Sequence, residues 1–334
     1  MKKSLILILT LLVGSFINAI AQKQLKAGIC VDNFATERWI ADVKFLEEEF
    51  RQLGIETYVK VSHSDAKLQV KQGIEFVNQR VDILVIIPTD GKQLKPVIDA
   101  AKSNKIPVIA YDRLIFDDRI DLYISYDNYE VGRIQAREAL KRYPNGNFVL
   151  INGPTSDFNA SMFAAGQKEI LTPLVEKKQI KLVEELNLDD WNELTAYMAS
   201  QEISTPLKKI DVILSPTDPV SSGVIMGFRD NPDFQGVFLT GQDATPIGHK
   251  NIMDGKQDMT ILKELRPLAK KAAAFGSELA KGQKITGTTH FNALGTVVPA
   301  YFLESLIILD RENIDTSEAF KMHRKALSES KVKE

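Results

Sequence analysis

The chain has 334 residues, with 42 basic and 44 acidic side chains and a net charge of −2. A mildly acidic balance without basic runs argues against nucleic acid or an anionic membrane as a partner. A single cysteine excludes an internal disulfide, so the core must hold without staples, and the length suggests two domains.

The chain opens on Met1-Lys2-Lys3, followed by the apolar run LILILTLLVGSF and then Ala19-Ile20-Ala21. A basic start, an apolar stretch too short for a comfortable span and a small-x-small site read as a secretory signal peptide over 1–21. The expectation is export to the periplasm, cleavage after Ala21 and no direct membrane insertion afterwards. Loss of Lys2 and Lys3 takes the net charge to −4. The alternative, an N-terminal anchor helix, lacks a basic stop-transfer flank.

Short apolar runs then alternate with longer amphipathic ones. Strands are expected at Leu25–Val31, Glu56–Val61, Asp82–Ile87, Ile106–Tyr111, Asn147–Asn152, Ile180–Leu186, Asp211–Ser215 and Val237–Thr240. Most are continuously apolar, as in a parallel sheet buried on both faces. Cys30, inside AGICV, reads as a small buried residue rather than a nucleophile. Trp39, Val43, Leu46, Phe50 and Leu53 form one helical stripe ending at Gly54; Leu268, Ala272, Phe275 and Leu279 form another before Gly282. The alternation reads as βαβ units and runs twice, before and after YISYDN (123–128), giving two doubly wound α/β lobes.

Parallel sheets bind ligands where their strands end and the loops converge. The segments there are DNFATERW (32–39), PTDG (88–91), YDR (111–113), NGPTSDFN (152–159), NLDDW (187–191), SPTD (215–218) and TGQDAT (240–245). They are rich in Asp, Asn, Thr and Gln and hold both tryptophans, Trp39 and Trp191. Carboxylates and amides suit vicinal hydroxyls, Arg and Lys add charged donors, and flat rings cover a sugar's C–H face. Acids outnumber bases, and there is no glycine-rich phosphate loop. Each Asp or Asn taken alone is more readily a helix cap, and Trp39 on its stripe is as readily core. The four histidines are scattered without ligand spacing, and no nucleophile elbow is present. The pairs Asp117-Asp118 and Asp189-Asp190 read as solvated rather than catalytic. No enzyme activity, metal or cofactor is expected.

Seven segments carry a resemblance: ERW (37–39), VDILVIIPTDG (81–91), VIAYDRLI (108–115), IDLYISYDNYEVGRIQA (120–136), GPTSDFNASMFAAGQ (153–167), TGQDA (240–244) and MTILK (259–263). Through them the chain resembles the periplasmic sugar-binding proteins of ABC importers, of the type I, ribose-binding-like fold, and sides with their xylose-binding branch. The resemblance implies a monosaccharide ligand, D-xylose foremost, an inner-membrane ABC permease as partner, and a monomer. It implies a site of Arg38, Trp39, Asp112, Arg113, Asp157, Asn159, Trp191, Asp243 and Lys263, with Trp191 facing Trp39 across the sugar. Thr217 stands where that branch has Asn, so another pentose or a hexose stays open. A sensor role, presenting the closed form to a receptor or kinase, is the alternative. The implied lobes are 22–127 plus 263–297 and 128–262 plus 298–334, with crossings near Tyr126–Asn128, Leu262–Glu264 and Gly295–Pro299.

Overall fold

In the computed structural model, residues 23–34, 37–203, 209–229, 231 and 234–330 are described; the expected signal peptide lies outside them. The first half supplies β1 (Leu25–Val31), α1 (Glu37–Gln52), β2 (Ile55–Val61), α2 (Ala66–Asn78), β3 (Ile83–Ile86), α3 (Lys95–Ser103), β4 (Val108–Tyr111) and β5 (Leu122–Tyr126). The second supplies α4 (Asn128–Arg142), β6 (Asn147–Asn152), α5 (Phe158–Glu176), β7 (Lys181–Asn187), α6 (Glu193–Ile203), β8 (Val212–Leu214), α7 (Asp218–Gly227), β9 (Phe238–Leu239), α8 (Pro246–Met253) and β10 (Met259–Lys263). The chain then adds α9 (Leu265–Ala280), β11 (Thr289–Ala293), β12 (Thr296–Leu303), β13 (Leu306–Asp310) and α10 (Glu318–Ser330).

Two sheets are wound alike. The first has the order β11-β12-β5-β4-β3-β1-β2 and is parallel except for β11; the second, β7-β6-β8-β9, is parallel throughout. Strands β10 and β13 form a separate antiparallel pair. Alternate residues of one strand enter different cores: Ile29 and Val31 pack on one face of the first sheet, Cys30 on the other. Phe148 and Leu150 separate likewise from Val149 and Ile151 in the second. This burial on both faces explains the unbroken apolar runs. It also pushes the Cys30 thiol up to about 12, against a small lowering by Lys60, which leaves it protonated and unreactive.

The chain leaves the first sheet after β5, returns at α9, which packs on α1, and leaves again after β12. The hydroxyl of Tyr126, at the first crossing, donates to the Glu264 carbonyl at the second (2.7 Å), so the two lie side by side. The third crossing is displaced from its expected place. Gly295 lies in the turn of the β11–β12 hairpin, and Ala300–Leu303 pair with Tyr123–Tyr126 in the first sheet. The boundary expected between 297 and 298 therefore cuts a strand of the first lobe, and the change of sheet falls between Leu303 and Leu306. The C-terminal helix α10 belongs to neither lobe alone: Phe320 packs in a core of the second, Leu327 in the core of the first.

Candidate ligand-binding site

All ten residues singled out from the sequence line one cleft of about 1380 Å³ at the carboxyl ends of both sheets. Arg38 and Trp39 stand in the first turn of α1, and Asp112 and Arg113 directly follow β4. Asp157 and Asn159 open α5, Trp191 lies between β7 and α6, Thr217 precedes α7, Asp243 follows β9 and Lys263 ends β10.

Arg38 is the hub of the floor. Its Nε meets Asp42 Oδ2 at 3.1 Å, its Nη1 meets Asp243 Oδ1 at 3.3 Å, and its Nη2 holds a short contact with Asp112 Oδ2. The Tyr111 hydroxyl braces Asp42 from behind (2.5 Å). Arg113 pairs through Nη1 with Asp32 Oδ2 (2.9 Å) and through Nε with Asp157 Oδ2 (2.8 Å). Asn159 Nδ2 reaches Asp112 Oδ1 at 3.2 Å. Asp243, Asp157 and Asn159 belong to the second lobe, so these bonds cross the cleft. Lys263 Nζ lies 3.7 Å from Asp243 Oδ1.

Burial and charge oppose one another here. Burial alone would raise the Asp112 carboxyl, but Arg38, Lys263 and Arg113 hold it below the usual carboxylate range. Asp157 is raised by burial, which Arg113 offsets only in part. Burial lowers the Lys263 ammonium against the pull of Asp243. Arg38 and Arg113 stay charged despite burial because acids surround both. Asp32, Asp42, Asp112, Asp157 and Asp243 surround Arg38, Arg113 and Lys263, and Asp189, Asp190 and Glu193 add carboxylates on the cleft wall, so acids outnumber cations.

Two of these acids are held in an uncommon backbone conformation. Asp112 has φ +62°, and Asp243 and Ala244 have φ +82° and +48°. Left-handed non-glycine residues persist where neighbours over-determine them. The Asp112 carbonyl accepts from Ser125 Oγ (2.8 Å), Tyr123 Oη (3.2 Å) and Asn159 Nδ2 (3.3 Å). Around Asp243, its own N–H donates to the Ile261 carbonyl (2.9 Å), Ala244 N–H to Thr260 Oγ1 (3.2 Å) and Thr245 N–H to Asp218 Oδ2 (2.8 Å).

Capping and cleft-lining prove compatible. Asp157 caps α5 through Oδ1, which accepts from Asn159 N–H, and turns Oδ2 to Arg113 and to Trp191 Nε1 (3.2 Å). Trp39 is both core and cleft wall, 3 % exposed, with the guanidinium groups of Arg38 and Arg113 4.7 and 5.3 Å from its ring centre. The Trp191 ring lies over Gly153, where a Cβ would come 2.1 Å from Cη2, and meets Phe163 edge-on at 6.4 Å. Only glycine leaves room for it. Thr217 precedes α7 but its hydroxyl makes no capping bond. Thr217, Gln242 and Trp39 line the cleft, and their Oγ1, Oε1 and Nε1 atoms are buried without a hydrogen-bond partner among the described residues. Asp189 and Asp190 are exposed on the cleft wall. Of the other acidic pair, Asp118 is exposed but Asp117 is buried, contrary to expectation, because Arg119 Nε folds back onto it at 2.8 Å.

Sequence reasoning missed Asp32, Gln242 and His323 as cleft residues. Asp32 and Gln242 lay within the inspected junction segments. His323 had no such signal: α10 follows no strand of either main sheet.

Comparisons with known proteins bear on the family and the fold. A family model described as a periplasmic binding protein domain matches residues 27–284. The D-xylose-binding periplasmic protein of Haemophilus influenzae is 34 % identical over 94 % of this chain and 94 % of its own length. That of Escherichia coli is also 34 % identical, over 87 % of this chain and 88 % of its own. An ABC transporter solute-binding protein from Clostridium phytofermentans, solved with bound β-D-glucose, superposes with a TM-score of 0.79 at 26 % identity, covering 87 % of this chain and 95 % of that one.

Proposed function

The chain belongs to the periplasmic binding protein family, and from that premise we propose that it binds a neutral monosaccharide, D-xylose foremost, between its two lobes. The two relatives named for D-xylose support the choice of sugar. The arrangement that carries the reading is the ring of buried Asp112, Asp157, Arg38, Asn159 and Lys263 and half-buried Asp243 and Arg113, with Trp39 and Trp191 on the walls. Carboxylates accept from sugar hydroxyls, the cations and Asn159 donate, and each charge has a partner when the sugar leaves. The excess of carboxylate over cation disfavours an anionic ligand such as a sugar phosphate. Thr217 Oγ1, Gln242 Oε1 and Trp39 Nε1 supply further donors and acceptors.

The sugar is held by residues of both lobes, so it favours the form in which they approach, a hinge-type switch. The closed protein would then hand its sugar to an ABC permease, with no chemical change to the ligand. Residues 1–21 act as the export signal, and the protein works in the periplasm; the mature protein should begin at Gln22 by mass spectrometry.

The test is a thermal-shift screen of monosaccharides followed by titration calorimetry, since a ligand confined to the native state raises its melting temperature. D-Xylose should raise it and be recovered unchanged. A protein shifted by no neutral sugar, or only by sugar phosphates, would overturn the reading.

A further inference from the structure

Helix α10 reaches the cleft from outside both main sheets. Its Phe320 is anchored with Ala244, Ile252, Leu262 and Leu309 of the second lobe, and its Leu327 in the core of the first. Between these anchors His323, 6 % exposed, brings Nε2 to 3.0 Å from the Asp243 carbonyl. That carbonyl sits between the two consecutive left-handed residues, Asp243 and Ala244. The amides of 243, 244 and 245 are already bound by Ile261, Thr260 and Asp218. The histidine therefore adds a bond to the carbonyl of the same turn, and the direction in which the Asp243 carboxylate leaves the backbone depends on that turn.

We propose that His323 is a positioning residue of the binding site: its Nε2–H fixes the strained turn that aims Asp243 at Arg38, Lys263 and the sugar. An acceptor carbonyl requires a proton on Nε2, and in the neutral ring that leaves Nδ1 bare. Burial enforces that state, lowering the ring to about 4 although Asp243 pulls the other way. The proposal rests on the sugar-binding reading for its consequence but not for its geometry.

Two variants of similar bulk separate donation from packing. His323→Gln keeps an amide N–H able to reach the carbonyl; His323→Leu fills the space without a donor. In the sugar-free protein, hydrogen exchange of the amides of 243–245 should accelerate about tenfold in His323→Leu, the loss of one hydrogen bond, and return near wild type in His323→Gln. The D-xylose dissociation constant should rise about tenfold in His323→Leu and recover in His323→Gln. Equal behaviour of the two variants, whether both like wild type or both impaired, would overturn the positioning role. Should wild type bind no monosaccharide, the functional reading fails and the exchange measurement still decides the role of His323.

Discussion

Asp112 and Asp243 share an uncommon solution to one problem: how to point a charged side chain out of a strand end into a cleft. Both adopt left-handed backbone, and both have their carbonyl held by side chains from other elements. Asp112 is only 1 % exposed, so it is no solvated strand end. Asp112→Asn keeps its shape and removes the charge. Calorimetry should show D-xylose affinity falling about tenfold to a hundredfold, as for lost hydrogen bonds to a charged group of about 1.5–3 kcal/mol; wild-type affinity would remove Asp112 from the site. Two buried groups near the Asp243 turn titrate with opposite consequences. His323 is lowered by burial to about 4, so its native state binds fewer protons than the unfolded chain between pH 6.5 and 4. Its contribution is present above pH 6.5 and lost as pH falls, by up to about 3 kcal/mol. Asp218 is raised by burial to about 7, against the Thr245 amide and Gln257 Nε2 that bond it. Its contribution is present below the unfolded value near 4 and lost as pH rises through 7. In urea melts from pH 4 to 8, His323→Gln should gain on wild type as pH falls, and Asp218→Asn should gain as pH rises. Parallel profiles would show that neither group titrates as its burial implies.

At the level of elements, the loop between β7 and α6 owes its place to what is missing opposite it. Gly153→Ala should displace Trp191, shifting intrinsic emission of the sugar-free protein and weakening D-xylose binding, with the far-ultraviolet circular dichroism unchanged. Unchanged emission would mean that the ring and the β6 loop separate freely. The elements most legible in the sequence were those with an apolar run or stripe bounded by polar or glycine signals. β1 and β6, apolar and followed by polar junctions, were placed to the residue, and α1 and α9 were announced by their stripes and by Gly54 and Gly282 at φ +74° and +71°. Five strands were not placed from the sequence: β5 and β10, only five residues each though buried throughout, and β11, β12 and β13, whose faces mix exposed and buried positions, with Pro299 inside β12 arguing against a strand. Pro299 stands opposite His290 of the edge strand β11, and pairing with β5 begins only at Ala300. The cleft residues were visible because the junction rule needs only strand ends, whereas a contact such as His323 on Asp243 spans 80 positions and leaves no local trace.

The molecule as a whole is two similarly wound lobes tied by adjacent crossings and by α10. Small-angle scattering should show a smaller radius of gyration with D-xylose than without it, the mark of hinge closure; an unchanged radius would mean that the lobes do not move. The pairing of β12 with β5 has a consequence for how such a chain is assembled. The second sheet is drawn from residues 147–239, so its strands can pair within one stretch of chain. The first sheet must wait: residue 300 pairs with residue 123, and until it does, β5 is an unpaired parallel edge. Contacts so distant along the chain form late and slowly, and a bare edge strand invites other chains. Nascent or truncated molecules ending before residue 296 should therefore hold a finished second sheet, still without β13 and α10, beside an unfinished first one, and should aggregate through β5.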